Sequence, residues 1–451
     1  MNHRTVLRAL ALGAAAAVLG TSLVACSSGS SDKGDSTGKS GGSAAALDAA
    51  LKKGGEISYW TWTPQAEAQV AEFQKQYPNV KVDLVNTQGA GTSNTKVQNA
   101  IAAGKGVPDV TQVEYQSLPL FQLSGALLDL SKYGFGDLKD KYTAATWSAV
   151  SQNGGIWGLP QDSAPMALFY NKEVFDKFGL TVPKTWDEYI ADAKKLHDAD
   201  SSKWLIDDAG DAGVATSLMW QAGGKPFKVN GSKVTINLQD EGSKKYAQLY
   251  NQLIADGSLG TIAGWSDEWY KDLGDGTIST LIAGGWMPGV LAASAPAGKG
   301  KWAVAPLPTW DGTPANAENG GSTEVIPKLS KNQDLAAAFL RWLNSDPSSI
   351  KIFEQNGGFP STVADLNDPA FIDQKNDYFG GAQIYQTIVP AAKDDVAGWS
   401  YLPWQAHAND LFSDSVGKAI ANKSDINDAL KQWQQANVDY GKQQGFTVSA
   451  G

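Results

Sequence analysis

Flat indole faces set beside planar hydrogen-bonding groups are the chemistry this sequence offers. It has 16 tryptophans among 451 residues, more than a core alone uses, and an indole joins a broad apolar face to one N–H donor. Trp62, Trp220, Trp265, Trp286, Trp399 and Trp404 stand at the ends of apolar runs or in turn-rich stretches. Gln112, Glu114, Tyr115, Gln161, Asp162, Asn319 and Ser322 fall in similar places, and Gly320 and Gly321 bring exposed backbone amides beside them. Walls for C–H faces, with donors and acceptors for hydroxyls, suit a neutral polyhydroxyl ring. Charged acceptors make the stronger bonds, which singles out Asp162 and Glu114. Each polar residue has a second reading as a turn cap or solvated loop residue, and each indole as core.

Composition removes other chemistries. A formal charge of −10 with no basic cluster past residue 60 argues against nucleic acid. Past residue 10 the only arginine is Arg341, on an expected helix, so a fixed partner for a carboxylate, phosphate or polyanion is missing. Three histidines and one cysteine leave no zinc pattern and no intramolecular disulfide. Neither G-x-S-x-G nor H-E-x-x-H occurs, the phosphate-loop spacing is missing, and there are no internal repeats. No metal, no cofactor and no catalytic residue are expected. A two-carboxylate glycosidase stays open because acidic pairs are always available in such a chain. A peptide or amino-acid binder is the nearer alternative.

These residues need elements to hold them. Residues 1–25 carry Arg4 and Arg8 before an apolar run ending in small residues, as an export signal does. Residues 26–46 are a Ser/Gly/Asp/Lys tether that reaches about 25 Å if flexible. Glu56–Trp62, Val80–Val85 and Asp109–Val113 read as strands, and 94–104 as a helix. Thr63 is placed to cap a helix beginning at Pro64, with Ala66, Val70 and Phe73 inward. Strand–helix alternation implies an α/β unit with a largely parallel sheet, whose ligands lie at strand carboxyl ends. That rule selects Trp60, Trp62 and Thr63 at one strand and Glu114, Tyr115 and Gln116 at another. Thr185-x-x-Glu188 is a capping box, with Trp186 facing a core. Ile278–Trp286 reads as a strand delivering Trp286 after two glycines, which leave the indole clear of neighbours. In Trp399-Ser-Tyr-Leu-Pro-Trp404 the three aromatics cannot share one helical face, so one or two are exposed.

The stretch Gly154–Lys172 is the pivot: two extended runs flank Pro160 and Pro165, which bracket Gln161, Asp162 and Ser163. Its G-x-x-x-G-L-P and Tyr170-Asn171-Lys172 phrases resemble the interlobe crossing of family 1 extracellular solute-binding proteins, the maltose-binding-protein-like ligand-capturing components of ABC sugar importers. Tyr77-Pro78-x-Val80-x-Val82, Pro108-Asp109-Val110 and Phe178–Tyr189 resemble the same family, in order, over about residues 55–440. Leu23-Val24-Ala25-Cys26 resembles a bacterial lipobox, which implies lipidation of Cys26 and anchoring to the outer face of the cell membrane. The family resemblance implies an α/β, two-lobed periplasmic-binding-protein-like fold with hinge crossovers and a ligand cleft between lobes. It places residues 47–160 plus about 312–356 in lobe 1, and 161–311 plus about 357–451 in lobe 2. It implies an aromatic at Trp286 that stacks on a sugar. Partners implied are ABC permease subunits with a cytoplasmic ATPase, serving a monomeric binding protein. The number of aromatic faces points to an oligosaccharide as cargo.

Overall fold

The computed structural model describes residues 44–152 and 154–451. The export signal, Cys26 and the tether to residue 43 lie outside the described residues. A helix over Ala44–Lys53 opens the fold, three residues inside the stretch read as tether. Its five alanines are the best helix formers, and Leu47 anchors it in the core.

The elements that position the site follow in chain order. Strand β1 (Gly55–Thr61), helix α1 (Ala66–Gln76), β2 (Val80–Asn86), α2 (Ala90–Ala103) and β3 (Val110–Glu114) form the expected alternation. Helix α3 (Ala144–Val150) and the short β4 (Leu159–Pro160) lead to the crossing, and β5 (Met166–Asn171) leaves it. Then come α4 (Trp186–Ala199), β6 (Ile206–Asp207), α5 (Ala212–Gln221), β7 (Thr280–Gly284) and β8 (Trp302–Ala305). The chain returns through β9 (Ser322–Val325) and α6 (Gln333–Ser345), then closes with α7 (Gln405–Phe412) and α8 (Ile426–Gln443).

Lobe 1 holds a five-stranded sheet in the order β2-β1-β3-β9-β4. β1 pairs in parallel with β2 and β3, while the returning β9 is antiparallel to both β3 and β4. Ile57, Tyr59 and Thr61 alternate into the core, which Phe73, Phe121, Val325 and Phe339 complete. Lobe 2 is organised by the antiparallel sheet β7-β5-β8. The two faces of β5 feed two cores. Met166 and Leu168 join Trp186, Tyr250 and Trp433, while Ala167 and Phe169 join Trp302, Phe359 and Tyr385. The capping box forms, with Thr185 accepting from Glu188 N and Glu188 accepting from Thr185 N.

Two local expectations are corrected and one strand is new. Thr63 caps nothing: its hydroxyl donates to Gln112 Oε1 at 2.9 Å, and α1 starts later, at Ala66. Helix α2 begins at Ala90, four residues before the expected Asn94. The strand Thr447–Ala450, which pairs with Lys233–Ile236, was not anticipated because only the partner strand gives it a reason to extend.

Candidate functional site

Three chain segments cross between the lobes and bridge one another, Asp162 with Pro360 and Pro165 with Glu318. The polar residues expected to greet a ligand are matched here to each other. Gln112 Oε1 accepts from the Thr61 and Thr63 hydroxyls and from Trp62 N. Its Nε2 donates at 2.8 Å to both Gln161 Oε1 and Ser322 Oγ. Gln161 Nε2 donates to Glu324 Oε1 at 2.7 Å, and Glu324 also accepts from Tyr59 and Asn344. Asp162 Oδ1 accepts from Ser322 N at 2.6 Å and from its hydroxyl at 2.8 Å. Gln112, Gln161 and Ser322, expected as ligand contacts, are buried here and paired with one another within the crossing. Burial raises the Glu324 carboxyl to about 8 and the Asp162 carboxyl to about 7.

Gly320 and Gly321 lie in the same crossing. Both have a left-handed φ, 86° and 85°, which few other residues adopt. A Cβ on Gly320 would lie 3.2 Å from Trp286 Nε1, and one on Gly321 would lie 2.9 Å from the Tyr115 ring. They let the crossing strand pass between two aromatic side chains.

A first cavity, about 280 Å³, opens at the crossing end of lobe 2 and brings Trp265, Trp286 and Asn319 together. β7 runs antiparallel to β5 and so delivers Gly284, Gly285 and Trp286 back to the crossing. The two glycines do not isolate the indole, as expected, but let it fold back: a Cβ on Gly284 would sit 2.5 Å from Trp286 Nε1. That N–H donates to Asn319 O at 2.7 Å. Trp265 lies 5.9 Å from Trp286 at 27° between planes, and Trp269 backs it at 5.4 Å. Trp265 is 51% exposed with a left-handed φ of 68°. An exposed indole on strained backbone is a feature that functional sites retain. Asp207, Asp208 and Asp211 line the floor. Burial raises Asp207 to about 7 and Asp208 to about 6.

A second cavity, about 660 Å³, lies between α3 of lobe 1 and residues 389–401 of lobe 2. It gathers Tyr115, Trp220 and Trp399, whose two indoles stack in parallel at 5.4 Å and 4°. The crossing strand separates the cavities, because successive residues point to opposite sides. Asn319 lines the first cavity, whereas the buried Glu318 meets Asp395, which lines the second. Burial, with the Glu318 carboxylate nearby, pushes the Asp395 carboxyl up to about 10.

The remaining expected residues separate. Trp62 is partly exposed at the end of β1, and Glu114, raised by burial, accepts from Gln116 Nε2 at 2.9 Å at the end of β3. Gln116 Oε1 in turn accepts from Asn409 Nδ2 on α7 at 3.3 Å, a side-chain bond from lobe to lobe. The turn that follows α7 packs on the first cavity's rim, where a Cβ on Gly210 would lie 2.6 Å from Gly417 Cα. Trp404 is corrected from wall to core: it is 5% exposed, donates to Asn437 Oδ1 at 3.0 Å and packs on Phe446.

The sequence profile described as "Bacterial extracellular solute-binding protein" matches residues 59–350, more than half of the chain. The chain belongs to that family. Its members include relatives close enough to compare along their length. The arabinooligosaccharide-binding protein of Bacillus subtilis (strain 168) is 28% identical over 399 residues, covering 84% of this chain and 88% of that protein. The binding protein of B. animalis subsp. lactis Bl-04, solved with β-1,6-galactobiose, is 38% identical with a TM-score of 0.79, covering 87% of this chain and 99% of that one. The galacto-N-biose-/lacto-N-biose I-binding protein of Bifidobacterium longum, solved with lacto-N-biose, is 27% identical with a TM-score of 0.77, covering 88% and 99%. The two-lobed fold is thus that of the solute-binding proteins.

Some residues that line the first cavity or join the lobes were not singled out from the sequence. Asp207, Asp208 and Asp211 were missed because β6 is two residues long and gives no periodicity. The strand-end rule would have found them, since Leu205-Ile206 is an apolar pair broken by Asp207-Asp208. Asn409 sits on a helix face and carried no signal.

Proposed function

We infer that this solute-binding protein is the substrate-capturing component of an ABC importer, closing its lobes on a neutral oligosaccharide and passing it to a membrane permease. The exposed Trp265, stacked beside Trp286 over a floor of hydrogen-bond acceptors, carries the reading. The cargoes named for the relatives above support a short neutral oligosaccharide. In this reading the ligand lies in the first cavity, with Trp62, Glu114 and Gln116 closing from lobe 1. Lobe 1 comprises residues 47–160 and about 312–356, and lobe 2 the remainder of the fold. The chain is exported, held at the membrane through Cys26, and works as a monomer without catalysis. Among the described residues no helix is long and apolar enough to cross a membrane.

One observation favours a second reading: the larger cavity, with Trp220 and Trp399, has walls from both lobes. Calorimetric titration of the chain from Ala44 onward with β-1,6-galactobiose separates the two. Trp265→Ala is expected to weaken binding roughly 10- to 30-fold, with Trp399→Ala within a few-fold of wild type. The opposite pattern moves the sugar to the second cavity. Absence of heat with any neutral oligosaccharide removes the cargo assignment, and recovery of cleaved sugar replaces transport with hydrolysis.

A further inference from the structure

Among the described residues, one side-chain-to-side-chain hydrogen bond joins the lobes away from the crossing segments: Asn409 Nδ2 on α7 donates to Gln116 Oε1 at 3.3 Å. Among the same residues no ion pair joins them. Gln116 lies between Tyr115 and Leu118 of the lobe 1 core, and Asn409 follows Ala408 of a lobe 2 core.

This bond is the middle of a chain. Leu402 N donates to Gln405 Oε1 at 3.1 Å, and Gln405 Nε2 donates to Asn409 Oδ1 at 2.9 Å. On the lobe 1 side, Gln116 Nε2 donates to Glu114 Oε2 at 2.9 Å. A backbone N–H, which only donates, stands at one end, and an ionised carboxylate, which only accepts, stands at the other. The three amides between them therefore all point the same way, N–H toward Glu114. Bonds aligned in series polarise one another, and a charged final acceptor strengthens them.

Neither lobe completes the chain alone. Gln116 and Asn409 are both partly exposed, so with the lobes apart each is met by water. A bond that exists in one arrangement of the lobes shifts the equilibrium toward that arrangement by its own free energy. Helix α7 also leads to the first cavity: the turn after it, Ser413–Gly417, packs on Gly210, which lines that cavity.

We infer that Gln116 and Asn409 are positioning residues, a catch that the closing lobes make directly with one another and that sets how long a captured solute is held. The inference rests on the reading of the chain as a protein that closes its lobes on a neutral oligosaccharide. Two separate contacts to the solute would act independently; a catch acts only while both residues are present.

A double-mutant cycle separates these cases. Release of β-1,6-galactobiose is followed by stopped-flow tryptophan fluorescence for wild type, Gln116→Ala, Asn409→Ala and the double variant. Each single variant is expected to release the sugar roughly 3- to 10-fold faster, with association within twofold of wild type. The double variant is expected to release it no faster than the faster single variant. Single variants within twofold of wild type overturn the catch, as does a double variant that multiplies the two single effects.

The bond runs from protein to protein, so it is also read without sugar. The only cysteine of the sequence is Cys26, which leaves the chain from Ala44 onward free for spin labels at introduced cysteines. Lys96→Cys on α2 and Lys244→Cys on the Glu241–Ala255 helix put one label on each lobe, both at exposed positions. Asn409→Ala in this background is expected to lengthen or broaden the interlobe distance distribution measured by pulsed electron resonance. An unchanged distribution overturns the catch. If no neutral oligosaccharide binds, the cargo reading falls, and the distance measurement still decides the catch.

Discussion

The crossing and the first cavity both hold buried polar side chains, yet they pair them differently. In the crossing, Gln112, Gln161, Ser322 and Glu324 satisfy one another across three segments. In the cavity, Asp207 keeps an oxygen unmatched and Trp265 keeps half its surface exposed. The first arrangement ties the crossing segments to one another. The second leaves an indole face open and a carboxylate oxygen without a hydrogen-bond partner among the described residues. Residue identity does not separate the two roles; the inventory of partners does.

The sharpest break of this comparison exchanges a core indole for a cavity indole. Trp404→Ala is expected to lower unfolding stability by about 3–5 kcal/mol, as large-to-small core changes do. Sugar affinity of the folded fraction stays unchanged, the reverse of Trp265→Ala. Denaturant unfolding followed by calorimetry on the same samples checks both halves. If Trp404→Ala weakens sugar binding without costing stability, the wall and core assignments are exchanged.

A smaller effect is expected inside the crossing. Gln161→Ala leaves Gln112 Nε2 and one Glu324 oxygen short of partners, at a cost of about 2 kcal/mol. Urea unfolding reads this directly, and a change below about 0.5 kcal/mol would mean the network is already open to water.

The gentlest test is pH. Glu324 and Asp162 have folded-state values raised to about 8 and about 7 by burial. Unfolded carboxyls titrate near about 4. The folded protein therefore holds more protons between these limits, and stability falls as pH rises through that window. Thermal midpoints are expected to decline from pH 5 to pH 8.5, and Glu324→Gln, neutral throughout, to flatten the decline. A midpoint that rises over this range contradicts the burial of these acids.

The sequence reveals what repeats locally and conceals what depends on partners. The capping box at Thr185–Glu188 and the buried faces through Trp186 and Trp433 follow from spacing, because a helix brings its own neighbours together. The two-lobed fold was legible from ordered phrases. Thr63 looked like a cap because its competitors, Gln112 and Gln161, are 49 and 98 residues away. Trp404 looked exposed because Asn437 and Phe446 arrive only at the chain's end. Asp207 was silent for the same reason: its tie to Ile262 spans 55 residues.

The three-indole stack Trp269–Trp265–Trp286 has an optical consequence. Rings this close, held at fixed angles of 40° and 27°, are expected to couple their electronic transitions and to add an exciton contribution to the circular dichroism. Only Trp265 in the stack presents half its surface to solvent, so a molecule settling on it alters the middle member of the coupled set. The difference spectrum between wild type and Trp265→Phe isolates that feature from the other tryptophans. The protein thus carries a built-in chromophore array at the mouth of its cavity, readable without a label.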